Sequence, residues 1–412
     1  MDSDVCIVGG GPAGLFLALL LVRRGIRTVV LEKHADFLRD FRGDTVHPST
    51  LTLLDELGLA DRFARLPQRR VDKIRFTFAD GRTYQLGDLT RLRGPHPYIA
   101  LVPQWHLLDM IAEAAAESPG FTLLRETEAV GLLRDGETIT GVRADGPDGP
   151  VTVNARLTVA ADGRHSTLRR LAGLRSTEFG TPIDVLWFRM SREPSDGAGL
   201  AGRADTGKFM VQIDRGDYWQ NAWLIRKGGH EQVVAAGLDR FRQAVAALAP
   251  ALAGRVAEIR SWDDVQALTV RVDRLRQWHR PGLLLIGDAA HAMSPVGGVG
   301  INLAIQDAVA AARLLAGALA AGGPVDPALL GRVQRRRRFP TAGTQLIQRV
   351  LQNRIISPFV AGSRPPTAPL FMRLADRFPV VQGVPARVIG IGLRPEHAPS
   401  WAAPKQAHAT TR

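Results

Sequence analysis

The chain opens on an apolar run, Val5 to Val8, of the kind that forms a strand buried on both faces. A glycine-rich stretch follows. Then "LFLALLLV" at 15–22 reads as an apolar helix that stops at Arg23-Arg24, with Gly25 placed as its C-cap. A second buried strand, Thr28 to Leu31, ends in Glu32. The pattern then changes. An amphipathic helix is predicted from about Pro48 to Leu57, and 71–86 reads as two strands joined at Asp80-Gly81, a hairpin signal. Residues 104–118 put Leu107, Leu108, Ile111 and Ala115 on one helical face. Residues 121–160 alternate strands with turns at Asp135-Gly136 and Asp145-Gly146. Three segments, 184–190, 208–214 and 218–228, alternate like strands with one covered face. A further apolar strand stops at Gly287-Asp288, and Gly297-Gly298-Val299-Gly300 leads into an alanine-rich helix. From about 330 the chain reads as helices with proline-rich breaks at 364–369.

This order predicts an α/β fold. A discontinuous Rossmann-like nucleotide domain would use 1–70, 99–180 and 271–330. A mostly antiparallel sheet from 71–98 and 181–270 would be inserted into it as the substrate domain. C-terminal helices would fill 331–395, with 396–412 a disordered tail.

The first glycine stretch is Gly9-x-Gly11-Pro12-Ala13-Gly14, set between strand and helix. Gly9 permits a tight turn, Gly11 lets a pyrophosphate approach the backbone, and Gly14 lets the helix pack on the strand. The helix N-terminus offers N–H groups and a positive dipole end to phosphate. Glu32, with Lys33 beside it, lies at the end of the second strand, where an acid accepts hydrogen bonds from adenosine ribose. An acid there repels a 2′-phosphate, so the loop suits FAD or NAD better than NADP. Asp288 also ends a strand, where it has no packing role and is placed to bind a sugar or ribityl hydroxyl.

Charge and composition narrow the choice little. The formal net charge is +13, with five lysines among the 53 basic residues. Arginines on solvated faces account for most of it, and a positive field also attracts anionic ligands. The run Arg335 to Arg338 has only Phe339 beside it and no aromatic platform, so nucleic acid is not expected. The single cysteine, Cys6, excludes an internal disulfide. The 15–22 segment is too short to span a bilayer, so no integral membrane segment and a cytoplasmic location are expected. No metal-ligand spacing appears.

Taken in order, Gly9-x-Gly11-x-x-Gly14, Asp162-Gly163 and Gly287-Asp288 resemble the single-component (class A) flavoprotein aromatic hydroxylases, the para-hydroxybenzoate hydroxylase-like family, across roughly residues 4–330. The resemblance implies that the first motif binds the ADP part of FAD. Asp162-Gly163 would serve both FAD and the nicotinamide cofactor, and Asp288 the ribityl chain. The loop ending in Gly298, Gly300, Ile301 and Asn302 would lie against the isoalloxazine, so both glycine loops hold one FAD. Arg42 and Gln104 would also touch it. NADPH or NADH would be the reductant, and O2 would give a flavin C4a-hydroperoxide that oxidises an aromatic, phenolic or polyketide-like substrate. No second nucleotide domain appears, as in that family.

Protein groups in such an enzyme hold substrate and exclude water. Trp187, Met210, Gln212 and Trp223 are expected on one face of the sheet beside the substrate ring. His47 has the ordinary pKa range for a proton relay. Pro295 is placed to lay its carbonyl over the substrate or flavin edge, and His291 to orient the loop after Asp288. The same motifs would also serve a non-catalytic FAD or ligand-binding protein, or a reductase of prenyl lipids. A flavin halogenase would carry a Trp-x-Trp-x-Ile-Pro motif, which this chain lacks. The chain is expected as a monomer or homodimer.

Overall fold

The computed structural model describes residues 1–38, 45–363 and 367–403. Five parallel strands form the nucleotide layer, in the order Leu283–Leu285, Gly149–Ala160, Asp2–Val8, Thr28–Leu31, Phe121–Leu124. The apolar runs of Asp2–Val8, Thr28–Leu31, Leu283–Leu285 and the end of Gly149–Ala160 are buried on both faces, while the edge strand Phe121–Leu124 is half-buried. Cys6 lies here, and burial pushes its thiol up to about 12. Helix α1 (Pro12–Arg23) packs on this layer. An antiparallel hairpin, Glu128–Asp135 and Thr138–Gly146, pairs with the first half of Gly149–Ala160. The sheet is therefore parallel at its centre and antiparallel at one flank. Helix α2 (Pro48–Glu56) leads the chain toward the second layer.

That layer is a seven-stranded sheet ordered Gln266–Leu268, Ile183–Ser191, Tyr218–Arg226, Lys208–Asp214, Leu200–Asp205, Lys73–Phe78, Thr83–Asp88. All its pairs are antiparallel except Leu200–Asp205 with Lys73–Phe78. One face is covered by helix α3 (Leu238–Leu248), through Phe241, Val245 and Leu248. The other packs with Ile99, Leu101, Val296 and Phe359, on the side of the nucleotide domain's loops.

The chain then returns through Leu283–Leu285 to helix α4 (Gly300–Ala320), which packs between α1 and helix α5 (Pro327–Leu351). With the turn before it, α4 is the one helix among the described residues long and apolar enough to cross a membrane, and most of it is buried in the core. Helices α6 (Leu370–Arg377) and α7 (Gly383–Gly390) pack on the Thr83–Asp88 edge strand. The expected disordered tail begins too early. Glu396 is 3% exposed and Ala402 is wholly buried, because Arg336, Arg337 and Arg23 hold this stretch by hydrogen bonds.

Candidate active site

The first glycine turn is fixed by close approach. A Cβ on Gly14 would stand 2.0 Å from the Gly9 carbonyl oxygen, and one on Gly9 would stand 2.3 Å from that of Ala161. Gly11 differs: a Cβ there would meet nothing within 4 Å among the described residues, which leave open space in front of it. Gly11 is the N-cap of α1 and makes no side-chain cap, and Pro12 is the first helical residue. The first N–H groups of the helix thus point into that space without intrahelical partners. Glu32 Oε2 accepts from the Gly10 N–H at 2.9 Å and Oε1 from the His34 N–H at 3.1 Å, which ties the second strand's end to the loop. Lys33 beside it is exposed.

The second loop is built against the first. A Cβ on Gly287 would lie 3.2 Å from the Cβ atoms of both Ala13 on α1 and Ala304 on α4. Only glycine at 287 lets the two helix starts come this close. Asp288 is about a third exposed, and its carboxylate stands 3.6 Å from Arg164, the residue after Asp162-Gly163. All three motifs therefore converge. Asp162 is mostly buried. Its Oδ2 accepts from the Leu168 N–H at 3.1 Å, and its Oδ1 has no hydrogen-bond partner among the described residues. Burial raises its pKa, and nearby hydrogen bonds oppose the rise.

An orphaned carboxylate oxygen, an open cradle before Gly11 and two uncapped helix starts fit an extended dinucleotide such as FAD. Gln104 opens the helix Gln104–Ala116. Arg42 lies outside the described residues.

Asn302 has a different task from the one expected. Its side chain accepts from the His47 N–H (3.0 Å) and the Thr50 hydroxyl (2.7 Å), and donates to the carbonyls of Thr45 (3.2 Å) and Gly298 (3.3 Å). It clamps the α2 start to the glycine loop, so a cofactor would meet the N–H groups of Gly300 and Ile301. The Pro295 carbonyl accepts from the Gly298 N–H at 3.0 Å and is thereby turned into the loop.

His47 is 1% exposed. Its Nδ1 lies 2.7 Å from the Ile389 carbonyl, which only accepts, so Nδ1 carries the proton. Nε2, across the ring, is buried without a partner among the described residues. Burial lowers the pKa to about 4, against the pull of the Ile389 hydrogen bond. The expected physiological pKa is therefore corrected: His47 is neutral at pH 7.

The expectation of one shared face for the four sheet residues is also overturned. Trp187 pairs with Ala222, while Trp223 pairs with Leu186 and Met210, and Gln212 with Asn221. Cross-strand partners share a face. Met210 and Trp223 thus pack with α3, and Gln212 on the same face accepts from Arg203 at 2.7 Å, away from the cofactor loops. Trp187 alone faces the side where Val296 packs.

Sequence reasoning missed the groups that hold the 287–296 segment. Asp307 Oδ2 accepts from the Gly287 N–H (3.0 Å) and from His291 Nε2 (2.5 Å), and Oδ1 accepts from Arg337 (2.9 Å). Burial works to raise the Asp307 carboxyl, but His291 and Arg337 beside it outweigh that and hold it low. From α5 and just beyond it, Gln345 donates to the Ala292 carbonyl. Gln348 accepts from the Ser294 N–H and donates to the carbonyls of Ser294 and Val296, and Gln352 donates to the Ser294 hydroxyl. Arg337, Thr341, Gln345, Gln348 and Gln352 recur at helical spacing, and all are buried. That polar stripe is present in the sequence as a helical period. It also shows that the arginine run is partly internal: Arg337 is wholly buried, and Arg336 makes two 2.7 Å bonds to Glu396.

Comparison with known proteins agrees with this arrangement. The model of the FAD binding domain family matches residues 2–348. The chain is 36% identical to 6-methylpretetramide 4-monooxygenase of Streptomyces rimosus over 391 residues, 94% of this chain and 92% of the relative. It is 32% identical to the 12-dehydrotetracycline 5-monooxygenase/anhydrotetracycline 6-monooxygenase of the same species, over 83% of this chain and 68% of the relative. Among solved structures it resembles PqsL of Pseudomonas aeruginosa in complex with 2-aminobenzoylacetate (TM-score 0.76, 22% identity, 88% of this chain and 99% of that one), a likeness of fold. It also resembles the OxyS anhydrotetracycline hydroxylase of Streptomyces rimosus (TM-score 0.73, 26% identity, 97% and 77%). On these matches the chain belongs to the FAD binding domain family, among its class A aromatic monooxygenases.

Proposed function

We propose that this chain is an FAD- and NAD(P)H-dependent monooxygenase that hydroxylates a polycyclic aromatic polyketide bearing phenolic hydroxyls. The observation that carries this is the contact at Gly287, which joins the two glycine loops into one extended cradle. The substrate class is supported by the relatives' activities on 6-methylpretetramide and anhydrotetracycline. When bound, FAD supplies the chemistry that takes electrons from NAD(P)H and delivers one oxygen atom of O2.

The chain's own groups do the rest. The α1 start with Gly9, Gly11, Pro12, Ala13 and Gly14 holds the pyrophosphate, and Glu32 the adenosine ribose. Asp162 and Gly163 support the middle of the cofactor. Asp288 holds ribityl hydroxyls, with Arg164 aligning its carboxylate. N–H groups of Gly300 and Ile301 accommodate negative charge at the ring. Trp187 walls the substrate and excludes water. His47, buried and neutral, positions the start of α2 through its Nδ1–H bond to the Ile389 carbonyl.

The test is the visible spectrum of the FAD-loaded protein, mixed anaerobically with NADPH or NADH with and without tetracyclic phenols. The reading expects a flavin band that bleaches faster with a phenol present. A band that no nicotinamide bleaches under any condition contradicts it.

A further inference from the structure

The C-terminal helices carry an apolar face that nothing among the described residues covers. Seven large apolar side chains are exposed within residues 370–384, among them Leu370, Leu374, Phe378, Val384 and Val380, the last at 82%. Isolated exposed apolar residues need no explanation, but a contiguous group of this kind marks an interaction surface. The face is not an inverted helix. The other side of α6 buries Ala375, and buries Met372 in the cluster that includes the inner face of the substrate sheet.

The exposed charges on these two helices are three arginines against one acid. Arg373, Arg377 and Arg387 are exposed there. The one acid between residues 367 and 395, Asp376, is drawn toward the sheet, where its Oδ1 accepts from the Gln85 N–H at 3.2 Å. An apolar strip bordered by arginines complements a surface that is apolar within and anionic at its rim. A second copy of the chain fits less well, because a two-fold contact presses the same arginines toward one another. An anionic bilayer fits on both counts: the apolar side chains enter the headgroup boundary, and the guanidinium groups meet lipid phosphates. The formal net charge of +13 adds a long-range field of the same sign.

We propose that α6, the turn after it and α7 dock this protein on an anionic lipid surface. The docked face adjoins the site, because α7 carries Ile389, whose carbonyl holds the His47 ring. The edge strand Thr83–Asp88 then lies at the lipid surface, with α6 and α7 between.

The experiment is co-sedimentation of the full FAD-loaded chain with vesicles of phosphatidylcholine alone or mixed with phosphatidylglycerol. Pelleting is expected with the anionic vesicles, weakening as salt is raised, and little is expected with phosphatidylcholine alone. The triple variant Phe378→Ser, Val380→Ser, Val384→Ser should bind anionic vesicles about tenfold more weakly while keeping its flavin spectrum. The pair Arg373→Gln, Arg377→Gln should also weaken binding and flatten its salt dependence. Wild-type protein that stays in solution with anionic vesicles at low salt overturns the proposal. So does undiminished pelleting of the triple variant, which would trace binding to net charge alone. Light scattering that shows a dimer dissociated by the triple variant, with no vesicle binding, would give the face to a second copy.

Discussion

His47 makes the folded state sensitive to mild acid. The ring is 1% exposed, and burial lowers its pKa from 6.5 to about 4. The folded pKa lies below the unfolded one, so as pH falls the unfolded chain takes up the proton first. Stability is therefore full above about pH 6.5 and is lost as pH drops toward 4. Each pH unit well inside that window costs about 1.4 kcal/mol, so the loss reaches about 2 kcal/mol by about pH 5 and about 3 kcal/mol below pH 4. His47→Gln removes the titration and keeps an N–H donor for the Ile389 carbonyl. Urea unfolding of wild type and variant at about pH 7.5, 6 and 5 isolates the effect, because other titrating groups contribute equally to both. Wild type should lose about 2 kcal/mol more than the variant across that range. Parallel pH profiles would refute the claim that the ring is buried and neutral.

Four further substitutions separate cofactor binding from folding. Gly11→Ala places a methyl in open space and Gly14→Ala places one 2.0 Å from a carbonyl oxygen. The first should weaken FAD binding, read by fluorescence titration, with the apoprotein Tm almost unchanged; the second should lower the Tm through a forced backbone shift of about 2 kcal/mol or more. Asp288→Ala should purify without flavin while its far-ultraviolet circular dichroism stays native; a variant that keeps full flavin would remove Asp288 from the cofactor site. Gln348→Met leaves the Ser294 N–H and two carbonyls without their partner, costing about 2–4 kcal/mol. It should also change the visible circular dichroism of bound flavin, because the 294–296 backbone is no longer held.

How much of this was legible in the sequence follows from the range of each interaction. The Gly9 to Glu32 unit was readable because strand, turn, helix and second strand are contiguous, and Gly14 answers a contact with Gly9 inside the same turn. Asp288 stood out because an acid at the end of a buried strand has no packing reason to be there. The face of Trp187 was not readable. Alternation gives two faces per strand, but only the cross-strand register, Trp187 opposite Ala222 and Trp223 opposite Leu186, says which faces coincide. Burial of His47 and Arg337 was hidden for a similar reason: each is enclosed by segments distant in sequence, Ile389 for one, Asp307 and Glu396 for the other. The tail looked disordered by composition, yet Glu396 is held by arginines from α5. The glutamine stripe was present as a helical period, but polar residues at that spacing suggest a solvated face until something shows backbone carbonyls opposite them.

The central claim is that one FAD, held across both glycine loops, lets this chain put an oxygen atom into a phenolic polycycle. Its most direct test is turnover of FAD-loaded protein with NADPH and a tetracyclic phenol under isotopically labelled O2, with the product weighed by mass spectrometry. The account predicts a product that carries one labelled oxygen atom and no net added hydrogen. Oxidation of NADPH that yields only hydrogen peroxide across the phenol panel, or a product that gains hydrogen and no label, would contradict it.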